Sequence, residues 1–288
     1  MVKKSKRNVI LFLSLWVVLS IIFAFTDLGV SNSLMNKNIA WVKFFDIFGE
    51  HPSMLIAFLS ANILFSLAKE EKAVKKVFMW VINGLLMVFC GFMMVMMVAD
   101  RAYGAKLSGV ETIIVLVCTV IIVVIIQLLL RKVPNERLNE FKRAALIGIV
   151  TVFAFNLLAN VIKPLWGRAR PRDLTADQLN FFKWYIPQHF PHGESFISGH
   201  SGNAFSTLLL VLFAEKLKKP AVKWALVFGI AWGIIVAVSR VIIGAHFPSD
   251  VLFGGCIAIS LIYMNCCIFK DKKFESKVQN KGTTKSLT

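Results

Sequence analysis

Lys163-Pro-Leu-Trp-Gly-Arg-Ala-Arg170-Pro171, Ser195-Phe-Ile-Ser198-Gly199-His200-Ser201 and Ser239-Arg240-Val-Ile-Ile-Gly244-Ala-His246-Phe-Pro-Ser-Asp250 are three polar runs in a chain whose long blocks are otherwise apolar. Arg170 and Arg240 carry planar donor forks suited to the oxygens of a phosphoryl group, and Lys163 adds a mobile point charge. Ser198-Gly199-His200 reads as the opening of a helix. Free N–H groups and the positive dipole end favour an anion there, and Gly199 lets backbone approach closely. His246 and Asp250 are four apart, with Pro248 between them opening a further helix. That spacing predicts a carboxylate–imidazole hydrogen bond, which fixes the tautomer and leaves the other ring nitrogen free to attack. His200 is then the natural acid for a leaving oxygen. Taken singly, each residue has an ordinary role: a snorkelling cation, a helix cap, a bystander histidine. Together they supply what transfer of a dianionic phosphoryl group requires, namely fixed cations, backbone donors, a nucleophile and a proton donor.

The elements that must carry these residues are membrane helices. Of 288 residues, 57% are hydrophobic and 17% charged, and the mean hydropathy is +0.70. A soluble chain has about 25% charged residues. The excess is gathered into blocks near the roughly 20 residues that cross a bilayer, which excludes a multi-domain soluble protein. Eight spans are expected, at about Asn8–Phe25, Ser53–Ala68, Val77–Val98, Val110–Leu130, Ala144–Ile162, His200–Ala214, Val222–Val238 and Pro248–Phe269, the sixth being short. The fold class is therefore all-α, a polytopic transmembrane bundle of about eight helices. The first helix is expected to be retained, since no small-residue cleavage site follows it. Leu34–Phe48 places its aromatics on one face and is expected to lie flat at the outer interface, with a lid over the site as the alternative.

The net charge of +17 does not point to nucleic acid, because the basic residues form short clusters between apolar blocks. With the N-terminus inside, 23 of the 33 lysines and arginines fall on the inner side. Both termini are thus expected in the cytoplasm, with the three polar runs on the extracytoplasmic face of the cell membrane. Five of the remaining cations crowd one outer loop, from Lys163 to Lys183, against that bias. The five cysteines read as small apolar residues with no metal-ligand spacing. His189 and His192, near Glu194, are read as structural or surface residues rather than a metal site.

In order and spacing, the three runs resemble the type 2 phosphatidate phosphatase superfamily, which shares its signature with bacterial haloperoxidases of the vanadium type and with glucose-6-phosphatase. Lys163, Arg170 and Pro171 match Lys-x6-Arg-Pro. Ser198, Gly199 and His200 match Pro-Ser-Gly-His, with Ile197 in place of the proline. Ser239, Arg240, His246 and Asp250 match Ser-Arg-x5-His-x3-Asp. The resemblance implies a core of about six helices, so that two of the eight expected spans are extra and precede it. The expected division is N-terminal transmembrane helices at residues 1–143, the catalytic phosphatase part at residues 144–269 and a disordered cytoplasmic tail at residues 270–288. The resemblance also implies a metal-free, cofactor-free double displacement on a lipid-linked phosphate or diphosphate. His246 would form a phosphohistidine with His200 as acid and then base, and Asp250 would orient His246. Lys163, Arg170, Arg240, the Ser198 hydroxyl and the Gly199 N–H would hold the phosphoryl oxygens. Candidate substrates are undecaprenyl diphosphate, phosphatidate and phosphatidylglycerol phosphate. A lipid phosphotransferase on the same fold is the alternative. An anion transporter explains the cations but leaves His246 and Asp250 without a task. Membrane lipids are the other expected partners, and nucleic acid is not one.

Overall fold

The computed structural model describes residues 2–104, 107–188, 193–217 and 219–270, without the side chains of residues 2–5. His189, His192 and residues 271–288 of the expected tail lie outside the described residues. The helices are α1 (Val2–Leu34), α2 (Ala40–Phe48), α3 (His51–Leu67), α4 (Ala73–Tyr103), α5 (Gly109–Leu130), α6 (Asn135–Trp166), α7 (Gly199–Phe205), α8 (Leu210–Ala214), α9 (Lys219–Ile242) and α10 (Pro248–Ile268). No strand occurs among the described residues.

Local chemistry sets the ends of these helices. Ser108 and Glu111 close a reciprocal capping box at the start of α5. Gly167, at φ 60°, stops α6 in the left-handed conformation and returns its N–H to the Lys163 carbonyl at 2.9 Å. Pro248 opens α10, whose Asp250 carboxylate accepts the Phe247 N–H at 2.8 Å. Gly244, at φ 70°, reverses the chain between α9 and α10, so that the His246 N–H returns to the Arg240 carbonyl.

Among the described residues, seven segments are long and apolar enough to cross a membrane, including Lys6–Leu34, Ala40–Glu70 and Asn135–Asp173. The expected spans at 8–25 and 144–162 are therefore too short, and the division drawn at 143/144 falls inside α6. The sixth expected span is not one of the seven. Gly199–Ala214 is α7 and α8 joined by a 3₁₀ stretch, Ser206–Leu209. All three pieces pack on α9, which returns the chain to the level of His200. The run therefore descends through the bundle despite its shortness, and the three polar runs meet at one end.

α5 is largely apolar and buries only Thr119 and Val123; Gln127 bonds Asn62 of α3, while most of its other residues are exposed, as expected of a helix in lipid. α3 is the opposite. Ile56, Ala57, Phe58 and Ala61 are buried against α4 and α6. Small residues bring the site helices close together. A Cβ at Gly202 would sit 1.7 Å from the Phe155 ring, and one at Gly254 2.3 Å from the Ser198 carbonyl oxygen. Ile197 is fully buried beside Phe155, Phe196 and Ala258, so its side chain contributes packing that a proline could not supply in the same form.

Candidate active site

α6 ends in a turn that contains Lys163, and Gly167 then redirects the chain so that Arg168 and Arg170 follow on a loop. Lys163 reaches the opening of α7, where a Cβ at Gly199 would lie 3.7 Å from its Nζ. Ser198 caps α7, its Oγ accepting the Ser201 N–H, and lies 3.0 Å from the Ser201 hydroxyl. In this cap the oxygen accepts, and the donation to a phosphoryl oxygen expected of the hydroxyl uses its own O–H. Arg170 donates to Glu194 at 2.8 Å, and Arg240 pairs with Asp46 of α2. Each keeps a buried Nε–H without a hydrogen-bond partner. Such donors are costly to bury unpaired, which suits an anion that engages them.

The His246–Asp250 contact differs from expectation. Nδ1 of His246 lies 3.8 Å from Asp250 Oδ2, beyond hydrogen-bond range, and 2.6 Å from the Ser195 carbonyl oxygen. A carbonyl oxygen only accepts, so the proton sits on Nδ1 and the lone pair on Nε2. The tautomer expected from Asp250 is thus fixed by the backbone of the loop before α7. Asp250 acts one step back. Its carboxylate accepts from Ser195 Oγ at 2.5 Å and from the Phe247 N–H, the two residues that bracket the imidazole's position. Burial pushes His246 down to about 4. Asp250 opposes that shift, while Arg240 and Lys163 reinforce it. The ring is neutral near pH 7, as a nitrogen nucleophile must be.

His200 faces a second group. Its Nε2 is 3.1 Å from the Asp46 carbonyl oxygen, 3.7 Å from Glu50 Oε2 and 3.9 Å from Asp46 Oδ1. Arg101 of α4 donates to Glu50 at 2.6 Å and to the same Asp46 carbonyl at 3.2 Å. The aromatic helix expected at the interface or as a lid is therefore, in its α2 portion, a wall of the site that carries Asp46.

Several of these residues were not singled out from the sequence. Arg168, inside the first run, is about 1% exposed and bonds Asp250 at 2.6 Å, Asp27 of α1 at 2.9 Å and Ser249 at 2.8 Å, with Phe247 under its guanidinium. Asp27 also accepts from the Ser249 N–H at 2.9 Å. The available signal was a lone carboxylate, Asp27, inside an apolar helix, since such charges seldom stay unpaired. The same holds for Asp46, Glu50 and Arg101.

The geometry gathers all eight expected residues at one end of the bundle. Comparison with known proteins agrees on the region concerned. Residues 144–273 match the PAP2 superfamily. A lipid A 1-phosphatase of Rhizobium etli is 36% identical over 124 residues, 40% of this chain and 49% of that protein. An undecaprenyl-diphosphatase of Sulfolobus acidocaldarius is 32% identical over 118 residues, 40% of this chain and 51% of that protein. A lipid A 4'-phosphatase of Bacteroides thetaiotaomicron is 25% identical over 113 residues, 38% and 47% of the two chains. The chain thus spans about half the length of the curated relatives it matches. No solved structure matches it. Over residues 144–273, this chain of apolar helices is thus similar to the PAP2 superfamily.

Proposed function

We propose that the protein is a membrane lipid phosphatase or diphosphatase working through a phosphohistidine. The observation that carries this reading is His246. Its Nδ1–H is committed to a carbonyl, which leaves Nε2 as the nitrogen with the lone pair, and the charges of Lys163 and Arg240 both act on the ring. Arg170 acts in turn on Lys163. In the first step Nε2 attacks the terminal phosphorus and its bond to the leaving oxygen breaks (the lipid oxygen of a monophosphate, the bridging oxygen of a diphosphate), with that oxygen taking a proton from His200. In the second, water attacks the phosphohistidine, His200 takes the water's proton, and the N–P bond breaks to release phosphate. Lys163, Arg170 and Arg240 offset charge on the non-bridging oxygens throughout, the task that Mg²⁺ performs in other phosphoryl-transfer enzymes.

The relatives named for lipid A and undecaprenyl diphosphate support a lipid-linked substrate. Undecaprenyl diphosphate is the substrate we favour, since the site is read as opening to the outer leaflet. Purified protein should release phosphate from at least one of undecaprenyl diphosphate, phosphatidate, phosphatidylglycerol phosphate and lipid A. Turnover should persist in EDTA and be blocked by vanadate, which mimics five-coordinate phosphorus. Complete loss in EDTA, restored by Mg²⁺, contradicts the charge-neutralising role given to the side chains.

The orientation belongs to the same reading: both termini cytoplasmic and the site extracytoplasmic, from the distribution of lysine and arginine. In a background without the five native cysteines, Gln178→Cys should react with an impermeant thiol reagent added outside intact cells, and Asn135→Cys should not. The reverse pattern inverts the topology.

A further inference from the structure

Outside residues 144–273, one group of charged side chains touches a proposed catalytic histidine directly. Glu50 is the residue that precedes α3, and its side chain is 8% exposed. Its Oε2 accepts from Arg101 and lies 3.7 Å from His200 Nε2, while Oε1 accepts from Asn203 Nδ2 at 3.0 Å, one turn along α7 from Gly199. A Cβ at Gly199 would lie 3.8 Å from the same Oε1. Ser53 Oγ donates to the Glu50 carbonyl at 2.8 Å and to Asn203 Oδ1 at 3.3 Å. The carboxylate is thus held from two sides and aimed at the imidazole.

The hydrogen bond of that imidazole adds a constraint. Nε2 of His200 faces the Asp46 carbonyl oxygen at 3.1 Å, and a carbonyl can only accept. Nε2 therefore carries a proton, and Nδ1 is the atom left for proton exchange with the substrate. To give a proton from Nδ1, the ring must begin as imidazolium. To take one from water, it must end as imidazolium. Burial disfavours that charge. The groups facing the ring are Asp46 from α2, Glu50 ahead of α3, Arg101 from α4 and Arg240 from α9. Asp46 is paired with Arg240 and Glu50 with Arg101. Removing either carboxylate therefore leaves an unbalanced cation beside the histidine.

We propose that Glu50 is a positioning residue for His200, a carboxylate supplied by the N-terminal helices that holds the imidazolium with its Nδ1–H directed at the leaving oxygen. The proposal rests on the phosphatase reading above and adds to it a residue beyond the matched region. It also gives the N-terminal helices a part in the chemistry. Buried ion pairs are otherwise expensive to maintain, and packing alone would be served as well by apolar residues.

The test compares leaving groups. With dioctanoyl phosphatidate the leaving alkoxide needs a proton, whereas with 4-nitrophenyl phosphate the phenolate leaves without one. Glu50→Gln, nearly isosteric, should lower kcat on phosphatidate by about 10²-fold, within the range of general acid catalysis, with KM changed less than about threefold. The single-turnover release of 4-nitrophenolate should fall by less than about threefold. Glu50→Asp, which keeps the charge at shorter reach, should recover a large part of the phosphatidate activity. It also carries the test if Glu50→Gln does not fold. Equal losses on both substrates, or a loss with Glu50→Asp as large as with His200→Ala, assign Glu50 to structure and overturn the proposal. Unchanged kcat in Glu50→Gln overturns it as well. Absence of phosphate release by the unaltered protein from every lipid phosphate and diphosphate tested defeats the phosphatase reading itself, and the role of Glu50 with it.

Discussion

His246→Ala should abolish phosphate release and leave no acid-labile phosphoenzyme in protein that still folds and inserts. The expected fall is on the order of 10⁶-fold, the scale seen when the nucleophile of a hydrolase is removed. The other imidazole near Arg240, His200, is held by the Asp46 carbonyl and assigned to proton transfer, so it does not stand in for it. The neighbouring variants should fail differently. His200→Ala removes the acid and the base, so a phosphoenzyme should form slowly and then persist, with residual turnover about 10²–10⁴-fold down. Asp250→Asn should now be milder than a direct imidazole partner would imply. The Ser195 carbonyl still orients Nδ1, and the loss arises through Ser195 and Phe247 moving. Lys163→Ala and Arg170→Ala should weaken affinity and turnover together, because phosphate charge exists in ground and transition states alike. Rapid-quench detection of phosphoenzyme alongside phosphate release checks the order. Substantial turnover in His246→Ala removes the nucleophile assignment.

Arg168→Gln should produce the largest loss of stability. The guanidinium is buried between Asp27 and Asp250, with hydrogen bonds to both carboxylates, to Ser249 and to the Phe182 carbonyl. Removing it leaves two carboxylates facing each other without a cation, and breaking a buried pair in this way costs about 3–5 kcal/mol. That is a large share of the total for a protein of ordinary stability. Activity should fall as well, since Asp250 anchors Ser195 and Phe247 on either side of His246. Thermal unfolding in detergent, with activity measured below the transition, separates the two effects. A melting temperature unchanged from the unaltered protein means that Arg168 does not hold α1 to α10. A double variant, Arg168→Met with Asp27→Leu, should recover part of the lost stability but not the activity, because Asp250 remains uncompensated.

The polar runs were legible because their residue types are rare at the ends of apolar helices, and their spacing fits one turn of helix or one reversal of chain. Pro248 was read as a helix start for the same reason, whereas Gly167 and Gly244, which also act through local backbone geometry, were not singled out. Ser198 was legible as a cap, and its Oγ accepts the Ser201 N–H at the start of α7. The sixth span was harder. Its 3₁₀ interruption leaves it short of a full crossing, and only its packing along α9 shows that it descends.

The sequence by itself determined the all-helical membrane class, the family resemblance and the eight residues proposed to bind and react, because hydropathy and short spacings are local properties. The tertiary structure decided which partner each charged group takes. Asp27 meets Arg168 across 141 residues, Arg240 meets Asp46 across 194, and His200 meets the Asp46 carbonyl across 154. It also moved the tautomer of His246 from the control of Asp250 to that of the Ser195 carbonyl. A buried charge must find a counter-charge or a fixed dipole, and several were within the composition's reach. Which one is chosen depends on helix packing, set by contacts such as Gly202 against Phe155 and Gly254 against Ser198, and no spacing along the chain encodes that distance.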